Sequence, residues 1–162
     1  MAAWGCVVKY SFTGAAIDAA ALTFSVTHFP NNATYVSPTL SDAFTNELID
    51  RIDRQTRLSQ VREDGDLSFS GEIVNWTNVP SMVSAANDGG LGAGATMNRL
   101  TITVRVTFTN VYSPENNFSN RSFQAFADFP SERDIMQAEG ELIPQIVEDL
   151  VTQIYNAALA NW

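Results

Sequence analysis

Between Leu100 and Thr109 two different surfaces alternate residue by residue. Leu100, Ile102, Val104, Val106 and Phe108 are large and apolar, while Thr101, Thr103, Arg105, Thr107 and Thr109 are polar. A period of two is the mark of a strand, because successive side chains point to opposite sides of a sheet. One face of that sheet must pack on a core, and the other must meet something wetter. The segment also constrains its successor. Ser113–Asn117 reads as a turn, and Phe118–Phe129 as a strand with Phe123, Ala125, Ala127 and Phe129 on its core face. A four-residue loop at Pro114–Asn117 pairs Ser113 with Phe118, hence Val106 with Ala125, and sets Arg105 opposite Phe126. A one-residue slip would mix the two apolar sets across both faces.

The rest of the chain supplies what such a sheet needs. Leu22, Phe24, Val26 and His28 alternate with Thr23, Ser25, Thr27 and Phe29 as a first strand, and Pro30-Asn31-Asn32 stops it. Leu40, Phe44, Leu48 and Ile52 recur every four residues, which predicts a helix ending near Gln55, with Thr39 and Asp42 in the pattern of an N-cap and its partner. Leu58–Val61 offers a further short strand. Glu63-Asp64-Gly65-Asp66 lacks full calcium-loop spacing and reads as an Asp-Gly hairpin turn. Leu67, Phe69, Gly71 and Ile73 form the second main strand. Val74 and Trp76 fall on the opposite parity, which predicts a bulge or two-sided burial near Ile73. The glycines at 89, 90, 92 and 94 precede a strand rather than a helix, so the stretch reads as a hairpin connection and not a dinucleotide loop. Ser131 and Asp134 cap a closing segment that Gly140 and Pro144 should divide into a short piece and a long helix from Glu141 to Leu159. The expected order is β-α-β-β-β-α. This is an α+β two-layer sandwich, a four-stranded mixed or antiparallel sheet with two helices on one face.

Composition narrows the chemistry. The chain has 162 residues, enough for one domain with its own core, and 45% of them are apolar. Nine basic against 18 acidic residues leave a net charge of −9, which argues against nucleic acid and against simple adsorption to anionic membranes. One cysteine and one histidine leave little for a metal site or a catalytic triad, so no metal and no cofactor is expected. No apolar run reaches the roughly 20 residues of a membrane helix. Cys6 follows Gly5 ahead of the first strand, as the acylated cysteine of a bacterial lipoprotein does; a buried free thiol is the competing reading, and Met1–Trp4 is too short for a leader. A Ser/His hydrolase based on His28 would be the enzymatic alternative, but no Ser or Asp stands near it at a motif spacing. Glu139, Glu141, Glu148 and Asp149 read as a solvated helix face, and four Asn-X-Ser/Thr sequons would carry little weight if the chain is such a lipoprotein.

Several stretches, in order, resemble one family. They are Gly5-Cys6 with Tyr10–Ala15, Phe29–Ala33, Pro38–Ser41 with Phe44-Thr45, Gln55–Leu58, Gly65–Leu67, Gly71–Ile73, Asn98–Val104 and the closing Asn161-Trp162. Together they resemble the LptE lipopolysaccharide-assembly lipoproteins in the form found in Bacteroidota. The resemblance implies a non-catalytic outer-membrane lipoprotein on the periplasmic side, lipid-anchored through Cys6, that plugs an LptD-like β-barrel and assists lipopolysaccharide transport. A lipid-anchored binding domain of another envelope complex is the alternative. Residues 1–21 would be the tether and 22–162 a single LptE-like domain.

The partner surface is expected on the outer sheet face, where Arg105 and Phe126 would stand together with Thr103 and Thr107 alongside and Trp76 sharing their parity. An arginine and an aromatic on a threonine surface have the composition of a binding hot spot. Arg105 as an edge charge and Phe126 as a scattered surface aromatic is the competing reading. The acidic chain places the barrel ahead of lipopolysaccharide as the direct contact.

Overall fold

The computed structural model describes residues 17–35, 37–82 and 96–160; Cys6, most of the tether, and the glycine-rich stretch 87–95 lie outside the described residues. The elements are β1 (Thr23–Val26), α1 (Leu40–Gln55), β2 (Ser59–Gln60), β3 (Leu67–Met82), β4 (Thr96–Asn110), β5 (Phe118–Pro130) and α2 (Ile135–Ala158). They build an α+β sandwich on a five-stranded sheet of order β2-β1-β3-β4-β5. The expected four strands gain β2 from the Leu58–Val61 stretch. β1 runs parallel to both β2 and β3, and the β3-β4-β5 meander is antiparallel. The sheet is therefore mixed.

Both helices lie on one face. Leu40, Phe44, Leu48 and Ile52 of α1 and Leu142, Ile146, Leu150, Val151 and Ile154 of α2 are buried with Phe24, Phe69, Ile73 and the whole apolar row of β4. The alternation of 100–108 is thus the floor of the core. Threonines on the other side of β4 have no layer over them among the described residues.

Local chemistry corrects four expectations. Asp64-Gly65 makes a turn, with Asp64 at φ 53°, but it closes no hairpin, because β1 lies between the two strands it joins. Gly65 is required there: a Cβ would stand 2.6 Å from the Phe24 carbonyl carbon. Thr39 occupies the N-cap of α1 without a side-chain cap bond, and Asp42 instead reaches His28. α2 is one helix from Ile135 with Asp134 as N-cap, its carboxylate accepting from Met136 N at 2.8 Å. Pro144 does not break it. A proline crowds the carbonyl four residues back, and that residue is Gly140, exposed and with nothing within 4 Å of where a Cβ would be.

The fourth correction is the β4–β5 register. Ile102 pairs with Ala125 and Thr101 with Phe126, four residues from the expected pairing. Asn110 causes the displacement. Its Oδ1 accepts from Tyr112 N at 2.9 Å and Ser113 N at 3.2 Å, while Asn110 N donates to Asn117 Oδ1 at 2.6 Å. These bonds turn the chain out of the sheet at Asn110, so the connection is Val111–Asn117, with a 3-10 turn at Pro114–Asn116. Four is even, so the core faces of Phe123, Ala125 and Phe129 are unchanged.

Candidate partner-binding face

The outer sheet face follows from the pleat. On β4 it carries Arg99, Thr101, Thr103, Arg105 and Thr107, flanked by Glu72, Thr77 and Val79 of β3 and by Ser122, Gln124, Phe126 and Asp128 of β5. Arg105, Thr103, Thr107 and Phe126 all lie on this face as expected. The displaced register separates Arg105 from Phe126, however: Arg105 pairs with Ser122, and Phe126 stands four positions further along β5.

Trp76 is not on this face. The bulge between Ile73 and Asn75 reverses its parity, so it pairs with Ile102, packs against the core, and stacks on Tyr35 with ring centroids 4.4 Å apart. The irregularity is legible in the sequence. Which residue is the extra one is not, and that decides the side Trp76 faces.

Arg99 takes the place expected of Arg105. Its Nε donates to Asp128 Oδ1 at 2.7 Å and its Nη2 to Asp128 Oδ2 at 2.9 Å, a two-pronged pair. The same guanidinium lies 3.9 Å from the centroid of Phe126, whose side chain is 50% exposed. Three neighbours thus fix one another: the carboxylate sets the plane of the guanidinium, and the guanidinium covers one side of the ring. Hydrogen bonding from Arg99 holds the Asp128 carboxyl below its ordinary range, partly opposed by burial, and the same bond raises the arginine. Sequence reasoning misses Arg99 although the alternation reaches back to it, because the expected register gives Phe126 to Arg105 instead.

The charges that the strands place on the face are paired among themselves. The charged side chains that β1–β5 present there are Arg99 with Asp128 and Arg105 with Glu72, the latter pair 4.0 Å apart. Two positive and two negative groups sum to zero on a chain of net charge −9. At its other end, Ser25, Thr27, Ser68, Ser70 and Thr109 floor an open depression of about 520 Å³ rimmed by Glu63, Asp64 and Val111.

Two other readings of the sequence meet a definite geometry. His28 has both a serine and an aspartate beside it, but Asp42 Oδ1 at 3.0 Å and Ser41 Oγ at 3.4 Å approach the same nitrogen, Nε2. A triad needs them on opposite nitrogens, and the Ser41 hydroxyl donates instead to the Phe29 carbonyl. Asp66, within the run that suggests calcium, is occupied by donors: Leu22 N at 2.9 Å, Thr23 N at 3.0 Å and Thr23 Oγ1 at 3.0 Å all point at its Oδ2. Those backbone bonds hold its carboxyl below the usual carboxylate range. It ties β1 to β3.

Solved structures share this architecture at low identity. A neuraminyllactose-binding hemagglutinin homolog from Helicobacter pylori is 13% identical, with a TM-score of 0.51 over 90% of this chain and 87% of that one. Protein CT253 from Chlamydia trachomatis is 8% identical, with a TM-score of 0.50 over 85% and 98%. A minor lipoprotein from Acinetobacter baumannii is 15% identical, with a TM-score of 0.48 over 85% and 94%. At such identities the likeness to the first two concerns the fold alone. No curated protein matches the sequence. The lipopolysaccharide-assembly family LptE matches residues 21–158, from the buried Ala21 through the last residue of α2, and the chain belongs to that family.

Proposed function

We propose that this protein is an outer-membrane lipoprotein, acylated at Cys6, that contacts an LptD-like β-barrel through its outer sheet face and assists lipopolysaccharide transport. Membership of LptE, a non-catalytic lipopolysaccharide-assembly family, supports the process. The observation that carries the choice of surface is the threonine face, uncovered among the described residues, with its strand charges paired with one another. A neutral patch on an acidic protein can approach a protein wall without like-charge repulsion. The fixed Arg99–Phe126–Asp128 group supplies a rigid, half-exposed aromatic of the kind that anchors interfaces. Phe126, Arg105, Thr103 and Thr107 are the contact residues of this reading, joined by Arg99; Trp76, on the helix side, is left out.

The same pairing ranks the barrel above lipopolysaccharide as the direct ligand. Phosphate recognition calls for free arginine donors, whereas Arg99 already spends two donors on Asp128 and Arg105 faces Glu72. In this reading residues 1–21 lead in to a single domain of residues 22–162, with buried Ala21 as the point where they meet. The test is affinity purification of the full-length protein from native outer membranes, followed by mass spectrometry of what accompanies it. An outer-membrane barrel is the expected companion. A different envelope complex in its place would overturn the barrel assignment.

A further inference from the structure

Six large apolar side chains are exposed among the described residues, and they are not scattered evenly. Val79 and Phe126 lie on the outer sheet face and Met136 on α2, but Leu22, Val111 and Tyr112 gather at one end of the sheet, exposed to 64%, 62% and 45%. Asp66 brings them together. Its carboxylate takes the amide of Leu22 at 2.9 Å, and its backbone carbonyl takes the amide of Val111 at 3.0 Å. Tyr112 is the next residue, its own amide fixed by Asn110. Two loops far apart in sequence are thus bonded to one residue, and both present aliphatic or aromatic side chains to solvent.

This tip is also where the N-terminal segment enters. Ile17 packs against the core, the turn Asp18–Ala21 follows, and Leu22 comes next. We infer that Leu22, Val111 and Tyr112 form a membrane-facing tip that rests in the headgroup layer of the bilayer holding the anchor. The inference rests on acylation of Cys6. Between Cys6 and Ile17 the chain extends at most about 40 Å, so an anchored molecule keeps this end near the lipid. A tether of at most that length confines the tip close to the bilayer, where a small apolar patch too weak to bind alone becomes occupied. Tyrosine beside aliphatic residues suits the interface, where the ring is apolar and the hydroxyl is wet. Charge selects the lipid. Asp18, Glu63 and Asp64 outnumber Arg62 around this end, so zwitterionic headgroups suit it better than anionic ones.

The test attaches the full chain to vesicles of phosphatidylethanolamine and phosphatidylcholine by coupling Cys6, its one thiol, to a maleimide lipid. Photoreactive benzoylphenylalanine replaces Tyr112 in one preparation and Phe126 in another. After illumination, mass spectrometry should find lipid adducts at position 112 and few at 126. The changes Leu22→Ser and Val111→Ser should remove most of the adduct at 112, and adding phosphatidylglycerol should lower it. No adduct at 112, or equal adducts at both positions, would overturn the inference. So would crosslinks from position 112 in native membranes that go to protein and not to lipid. Because the anchor is supplied chemically, these results are independent of native acylation, which the mass of Cys6 in the native protein reports.

Discussion

Asp66 and Gly71 show how much of this fold rests on single side chains, or on the lack of one. Asp66 joins the start of β1 to β3 through three donors on its Oδ2. Its folded carboxyl lies below its unfolded value of about 3.9. The stability it contributes is therefore fully present above that unfolded value and is lost as pH falls through the folded one. Asp66→Asn should lower the melting temperature at neutral pH, and its gap to wild type should narrow as pH drops below about 4. A gap constant across that range, in thermal melts, would mean the carboxylate is not the active group. Gly71 faces another constraint: a Cβ would overlap the Arg105 carbonyl oxygen and come within 2.7 Å of the Phe29 ring. Gly71→Ala should cost about 1–3 kcal/mol or more in denaturant unfolding, as overpacking against backbone does. Neither role was visible in the sequence, where Asp66 was one acid in a run and Gly71 one core-parity position; a long-range contact gives each its importance.

At the scale of elements, most features that depend on periodicity are legible in the sequence, and features that depend on a competing local bond are not. The faces of β4, the stripe of α1 and the apolar side of α2 follow from spacing alone. The β4–β5 register does not, because asparagine side chains at 110 and 117 turn the chain earlier than hydrophobic pattern indicates. Val104 tests the face assignment. It is fully buried between Ile73 and Phe123, so Val104→Asp should cost about 4 kcal/mol or more. A variant melting within a degree or two of wild type would place that face on the wrong side. In α2, Gly140 has open space where its Cβ would be. Gly140→Ala should accordingly stabilise the protein by about 0.5–1 kcal/mol, read from the denaturation midpoint. Destabilisation would show that the glycine relieves strain from Pro144.

At the scale of the whole molecule, the described residues leave one side of the sheet open: helices cover the core side, and the threonine side faces outward. The sequence showed that side and most of the residues proposed for contact. Arg99 and the true position of Trp76 emerged only once a register and a bulge were fixed in three dimensions. The most direct test of this face replaces Arg105 and Phe126 together with alanine. Both side chains are about half exposed, so the melting temperature should stay at the wild-type value, and it is measured first. Recovery of the barrel with the anchored, folded variant from native membranes should then fall sharply. Undiminished recovery would contradict the outer face as the barrel contact, and retained barrel with a loss of lipopolysaccharide binding would assign the face to the glycolipid instead.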